Sequence, residues 1–234
     1  MSEVSTFGNA IKSNSHNNDW IKRWEIGDTG FHMSQVHPYL LKLKDRFLKE
    51  CSTVYVPLCG KTLDLIYLAD EGHNVIGSEC AEVGILQFFD DNKIKYERSL
   101  HPTAPFEVFK GIDKTITIYK GDFFQLDSVV MGRVDAIWDR GSFGAIHPSQ
   151  QMKYGKIIHD IIKENGKYLL CTLRYEGVRT GNPYSVSEND VQVSFGQSFD
   201  ISTLDSYESS DFDFVKQDGL KSAIATFNLL LPKS

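Results

Sequence analysis

Residues 53–79 read TVYVPLCGKTLDLIYLADEGHNVIGSE, and this stretch decides the fold. Thr53 to Pro57 is a short β-branched run with strand character. Thr62 to Glu71 carries apolar residues at helical spacing, and Gly72 closes the helix. Asn74 to Glu79 is a second apolar run. Strand, helix and strand in this order make one βαβ unit, whose strands lie parallel and are joined by a right-handed crossover.

The alternation extends outward from that unit. Glu82 to Asn92 is a predicted helix, and Thr115 to Tyr119 and Arg133 to Trp138 are predicted strands. Ser149 to Glu164 is a predicted helix stopped by Asn165-Gly166, and Tyr168 to Leu173 a further strand. Between Phe106 and Tyr119, two apolar runs flank Gly111 to Lys114, which reads as a hairpin. Toward the C-terminus, Ser187 to Gly196 is helical, and Asp200 to Ser206 with Ala223 to Leu231 form an antiparallel pair at one edge of a mostly parallel α/β sheet. Upstream, His37 to Glu50 is an amphipathic helix laid on the sheet. Asp19 to Trp24 is a short helix with Asp19 as N-cap and two Trp on one face. Residues 1–17 are too poor in apolar side chains to order by themselves and are expected to form a flexible extension ahead of one domain over 18–234.

Composition narrows the function. The chain has 234 residues, 41% hydrophobic and 12% aromatic, which is enough for a substantial core and excludes wholesale disorder. Lys plus Arg number 25 against 31 Asp plus Glu, a net charge of -6 that has the wrong sign for gripping nucleic acid. No apolar run approaches the roughly 20 residues of a membrane helix, and Met1 to Asp19 lacks the profile of a secretion signal. Four cysteines without C-x-x-C spacing fit reduced thiols in the cytoplasm, and the seven histidines lack metal-ligand spacing, so no metal is assigned.

Ligands of open α/β sheets bind beyond the carboxyl ends of the strands, so the first strand-to-helix turn, Pro57-Leu58-Cys59-Gly60-Lys61-Thr62, is the place to look. Gly60-Lys61-Thr62 resembles the end of a phosphate-cradling loop, but Tyr55 stands where that loop needs its first glycine. A dinucleotide fingerprint needs three glycines, and the turn has one. Glu79 survives this elimination: it ends the second strand, 19 residues after Gly60, placed to accept ribose hydroxyls. A ribose site without a pyrophosphate site points to S-adenosylmethionine. At the end of the fourth strand, Trp138-Asp139-Arg140-Gly141 puts a charged pair at a pocket mouth.

Together these strings resemble the thiopurine S-methyltransferase family. The resemblance is carried by Trp20-x-x-x-Trp24, by Gly27-x-Thr29-Gly30-Phe31-His32, by Pro57-Leu58-Cys59-Gly60-Lys61, by Ala69-Asp70-x-Gly72-His73-x-Val75-x-Gly77-x-Glu79, by Trp138-Asp139-Arg140-Gly141 and by Tyr168-Leu169-Leu170-Cys171, and it covers residues 18–232. It implies the Rossmann-like class I methyltransferase fold, seven strands with an antiparallel last strand and helices on both faces. It also implies S-adenosylmethionine as methyl donor, leaving as S-adenosylhomocysteine, and a small aromatic or heterocyclic thiol as acceptor. Carried over by position, Trp20 and Leu58 would line the methionine side, Glu79 would hold the ribose, and Asp122 and Phe123 would contact adenine. Arg140 would lie where donor and acceptor meet, and Phe31 would wall the acceptor pocket as part of an N-terminal lid. Members acting on thiopurines carry an arginine shortly before the final strand, where this chain has Ser210-Asp211-Phe212-Asp213-Phe214, a poor match for an anionic acceptor.

The chemistry expected of these residues is an in-line displacement in which Arg140 favours the thiolate and Asp139 positions Arg140. A dedicated base is unnecessary for acidic thiols. The alternatives are methylation of a small inorganic anion such as halide or thiocyanate, and a non-catalytic S-adenosylmethionine-binding protein. A small-molecule partner and a monomer are expected.

Overall fold

The computed structural model describes residues 15–179 and 181–233. Its strands are β1 (Thr53–Val56), β2 (Asn74–Glu79), β3 (Tyr96–Leu100), β4 (Glu107–Gly111), β5 (Ile116–Lys120), β6 (Val134–Arg140), β7 (Ile162–Tyr175), β8 (Phe199–Ser209) and β9 (Ala223–Pro232). They form one sheet in the order β3-β4-β5-β2-β1-β6-β7-β9-β8. β5, β2, β1, β6 and β7 run parallel, and β9 lies antiparallel between β7 and β8.

The expected seven-stranded frame is therefore present, extended by β3 and β4, which pair antiparallel onto β5. The β4–β5 hairpin follows the two apolar runs. β3 escaped notice because its sequence, YERSL, is almost wholly exposed and has no apolar alternation; cross-strand pairing alone makes it a strand. Arg98 on β3 and Lys120 on β5 both reach Glu82 and Glu107, tying this added edge to the body of the sheet.

The helices are α1 (Ser15–Glu25), α2 (Pro38–Phe47), α3 (Asp64–Asp70), α4 (Glu82–Asp91), α5 (Ser128–Met131), α6 (Ser142–Ala145), α7 (Gln151–Ile161), α8 (Glu188–Phe195) and α9 (Asp213–Gln217). Side chains alternate across the sheet, and both faces are covered. Leu40, Leu43 and Phe47 of α2, with apolar residues of α3 and α4, pack on Val54, Val56, Trp138 and Phe227. Tyr154, Ile158 and Ile161 of α7, with Phe195 of α8, pack on Tyr55, Ile137 and Tyr168.

Two local expectations are corrected. α1 already includes Ser15, so Asp19 lies inside the helix and does not cap it; the polar extension expected over 1–17 falls, up to residue 14, outside the described residues. α7 ends at Ile161 rather than at Asn165-Gly166, because residues 162–166 form a bulged entry to β7 that Lys163 pins to Asp135. Gly166 is required there, since a Cβ would meet Ile162 at 2.5 Å.

Candidate active site

The parallel strands β1, β2, β5 and β6 end on the same side of the sheet. After β1 the chain turns sharply, with Leu58 at φ +44° and Gly60 at φ +52°. A non-glycine residue in that region is strained, and here the strain is held by hydrogen bonds. Cys59 N–H donates to the Ser78 carbonyl at 2.9 Å, and Gly60 N–H donates to Glu79 Oε2 at 2.9 Å. Glu79 Oε1 accepts from the N–H groups of Cys80 and Ala81, both at 2.8 Å. Burial of Glu79, only 6% exposed, pushes its pKa up, and these N–H donors oppose that rise. A carboxylate offers about four lone-pair positions. Three are taken by these N–H groups, and the Cys80 side chain also hydrogen-bonds the carboxylate, so a ribose hydroxyl would compete with that thiol for Glu79.

Next to Glu79, Gly121 N–H donates to the Glu79 carbonyl at 3.0 Å and leads into Asp122. Asp122 Oδ1 accepts from Phe124 N–H, capping a single helical turn. The Phe123 ring turns inward and stacks on Tyr154 at 4.5 Å. Asp122 thus stays at the strand end, while the Phe123 side chain belongs to the core.

The N-terminal segment lies across these strand ends. Trp24, 3% exposed, is wedged between the turn after β1 and the start of α4: a Cβ on Gly60 or on Gly84 would come within 2.9 or 3.0 Å of its indole. Phe31 packs edge-on against both Trp24 and Trp20, at 5.5 and 5.3 Å. The Arg23 guanidinium covers the rings of Trp20 and Phe31 at 4.8 and 5.1 Å. The role of Trp24 was missed in the sequence. Its signal was the second Trp of Trp20-x-x-x-Trp24 taken together with two glycines far along the chain, a relation visible only once they meet.

Arg140 reaches the same region from the end of β6 and donates from Nη1 to the Phe31 carbonyl at 3.0 Å. Among the described residues no carboxylate lies within ion-pair distance of it. Asp139 does not position Arg140. Neighbouring strand residues point to opposite faces, and Asp139, with no exposed surface, turns toward α7. Its Oδ2 accepts from the hydroxyls of Tyr154 and Tyr168 at 2.6 and 2.7 Å, and its Oδ1 from Ser142 N–H at 3.0 Å. Ser142 Oγ donates in turn to the Pro57 carbonyl at 2.7 Å, so Asp139 braces the turn after β1 against the end of β6.

On the Arg140 face, Asp64 joins two residues of the floor. Its Oδ1 accepts from His37 N–H at 2.8 Å and its Oδ2 from Trp138 Nε1–H at 2.7 Å. Burial, then the charge of Arg140, push His37 down to about 4, so the ring is neutral at neutral pH. Burial, Lys61 and Arg140 also lower the pKa of His32. Near the last strand, where an arginine was missing, Arg179 from the loop after β7 lies 5.2 Å over Phe214, but it is paired with Asp218 and brings no net charge.

Among solved structures, the 1,6-didemethyltoxoflavin-N1-methyltransferase of Burkholderia thailandensis, solved with S-adenosylhomocysteine, aligns with a TM-score of 0.63 at 14% identity over 95% of this chain and 93% of that one. The fold is thus that of the class I S-adenosylmethionine-dependent methyltransferases. At the sequence level, the thiopurine S-methyltransferase family matches residues 15–227. A Danio rerio protein named "Probable thiopurine S-methyltransferase" is 37% identical over 81% of this chain and 84% of its own length. The thiopurine S-methyltransferase of Rattus norvegicus is 34% identical over 82% of this chain and 81% of its own. The chain belongs to the thiopurine S-methyltransferase family.

Proposed function

We propose that the protein transfers a methyl group from S-adenosylmethionine to the sulfur of a small aromatic or heterocyclic thiol. One observation carries the reading: Arg140, a cation without a carboxylate partner among the described residues, stands at the strand end between the Glu79 turn and the Phe31 segment. Such a cation favours an attacking anion. When bound, S-adenosylmethionine supplies an electrophilic methyl group on a cationic sulfur.

The chain's own residues then bind, orient and exclude water. Glu79 Oε2 would take a ribose hydroxyl, Asp122 and the Phe123 backbone would flank the adenine, and Leu58 with Trp20 would line the methionine side. Phe31 would close the acceptor side. Arg140 would hold the thiolate, the thiol proton leaving to solvent, so that the sulfur can approach the methyl carbon as the donor's sulfur–carbon bond breaks. The same cation would serve a halide or thiocyanate, and the reading for thiols rests on the family.

The acceptor is read as a small molecule and the enzyme as a cytoplasmic monomer without a nucleic-acid partner. The net charge of -6 speaks against a nucleic-acid partner, and the four free cysteines fit a reducing compartment. Among the described residues, no helix is long and apolar enough to cross a membrane. The test is methyl transfer from labelled S-adenosylmethionine to a panel of aromatic, heterocyclic and aliphatic thiols, with iodide and thiocyanate. Transfer to aromatic thiols is expected; transfer to the inorganic anions alone, or cofactor binding without turnover, would overturn the reading.

A further inference from the structure

The sheet face that carries Arg140 continues sideways into side chains for which methyl transfer has so far needed no role. Arg140 on β6 pairs with Cys171 on β7, and Cys171 pairs with Phe227 on β9. Two residues further along β7, Leu173 pairs with Ala225, and Ala225 pairs with Tyr207 on β8. Directly paired residues, and residues two apart in one strand, share a face. Arg140, Cys171, Phe227 and Tyr207 therefore all project to the side covered by α2.

Tyr207 is held there by stacking. Tyr39 of α2 lies flat on Phe227, with centroids 4.0 Å apart, and Tyr207 stacks on Tyr39 at 5.1 Å with 16° between the planes. Phe212 flanks Tyr207 at 6.0 Å. The ring is thus fixed in place while remaining only half-buried. Its hydroxyl makes no hydrogen bond among the described residues. The hydroxyls of the fully buried Tyr55, Tyr154 and Tyr168 are all partnered within the protein, whereas those of Tyr207 and of its stacking neighbour Tyr39 are left for solvent or a ligand.

Arg140 and Tyr207 lie close enough to feel one another. Burial raises the Tyr207 phenol, and the charge of Arg140 pulls it back; the same charge opposes the rise of the Cys171 thiol between them, which burial pushes up to about 12. Three strand spacings of about 4.8 Å separate the two backbones. The residues of this face between the two strands include the small side chains of Cys171 and Ala225. Arg140 and Tyr207 thus share one face of the sheet, with Cys171 and Phe227 between their strands and the Tyr207 hydroxyl free of protein partners among the described residues.

We propose that Tyr207 is a specificity-determining residue and the second polar anchor of the acceptor site, its hydroxyl hydrogen-bonding a polar group across the ring from the sulfur that Arg140 holds. This rests on the thiol-methylation reading above. The acceptors it selects are aromatic thiols with a polar atom opposite the sulfur, over plain aromatic thiols and over monatomic anions.

The test uses Tyr207→Phe, which keeps the stack and removes only the hydroxyl. Two thiols are compared, 4-mercaptophenol, with a hydroxyl opposite its sulfur, and thiophenol, without one. For each, KM and kcat are measured, together with the dissociation constant on protein saturated with S-adenosylhomocysteine. Loss of one hydrogen bond should weaken 4-mercaptophenol about 3- to 10-fold in KM and in binding, with thiophenol, kcat and thermal stability unchanged. Equal changes for both thiols, no change for either, or a wild type that binds neither would overturn the proposal. A wild type that shows the binding contrast but methylates neither thiol would overturn the transfer reading and leave the anchor standing.

Discussion

Arg140 Nη1 donates a hydrogen bond to the Phe31 carbonyl at 3.0 Å, so the cation proposed to serve the acceptor and the N-terminal segment lying across the strand ends hold one another. A backbone carbonyl orients a guanidinium without neutralising it, whereas a carboxylate partner would cancel much of the field offered to a thiolate. The sheet enforces this arrangement: alternation sends Asp139, the nearest acid in the sequence, to the opposite face.

The first prediction concerns that cation. Arg140 would repel a sulfonium but steady an attacking anion, so it contributes more to the transition state than to donor binding. Arg140→Ala should lose about 10²-fold or more in kcat/KM for a thiol whose pKa lies above the assay pH, and less for one already ionised. S-Adenosylmethionine affinity should change little. Arg140→Lys keeps the charge but not the planar fork that spans Phe31 and acceptor, and should fall between. Equal losses for both thiols would mean that Arg140 orients the site without activating the nucleophile.

The proposed ribose contact of Glu79 can be separated from its contacts within the turn. Glu79→Ala removes the acceptor for three backbone N–H groups as well as the carboxylate proposed to take a ribose hydroxyl. Affinity for S-adenosylmethionine and S-adenosylhomocysteine should fall alike, by about 1.5–3 kcal/mol. Thermal stability should fall as well, because buried donors are left unpaired. Calorimetric titration beside thermal unfolding separates the two effects, and unchanged affinity in a folded variant would remove Glu79 from the cofactor site.

His37 sets a pH dependence. Its folded value, about 4, lies below its ordinary 6.5, so the unfolded chain takes up the proton first. The stabilisation from the neutral buried ring is complete above pH 6.5 and is lost as pH falls toward 4. A gap of that size corresponds to about 3 kcal/mol. His37→Asn can still cap α2 through the Tyr39 N–H that the imidazole now serves. The wild type should be the more stable protein at pH 7, with an advantage that shrinks as pH drops through this window. The comparison is made between the two proteins because the raised pKa values of buried Glu79 and Asp139 give slopes of the opposite sign, common to both. A constant difference in denaturant unfolding across the window would show that His37 is not held neutral.

What was legible in the sequence was what local pattern controls. The parallel frame followed from apolar runs separated by helical periods, and Glu79 and Arg140 could be placed because each ends a strand that the pattern itself marks. β3 was not legible, since its exposed residues carry no periodic signal. The partner of Asp139 was misread because adjacency in sequence suggested a pair that strand alternation forbids. Trp24, Asp64 and Tyr207 lie against residues 36, 74 and 168 positions away, Gly60, Trp138 and Tyr39, and no local rule brings those together.

The last prediction uses one such long-range contact. Gly84 sits in the first turn of α4, and its missing side chain makes room for the Trp24 indole, which a Cβ would meet at 3.0–3.2 Å. Gly84→Ala must displace the ring by a few tenths of an ångström. Because alanine favours a helix over glycine by up to about 1 kcal/mol, global stability should hold or rise slightly while the contact with α1 weakens. The variant therefore separates opening of the N-terminal segment from unfolding. Limited proteolysis should cut between Trp20 and Phe31 several-fold faster in Gly84→Ala than in the wild type, at equal thermal stability. Saturating S-adenosylmethionine should slow that cleavage in the wild type, since a lid closes over its ligand. Tryptophan emission should shift to the red in the variant as the Trp24 indole meets water. Unaltered cleavage and emission would show that the indole is not wedged against Gly84, and cleavage indifferent to cofactor in the wild type would sink the lid.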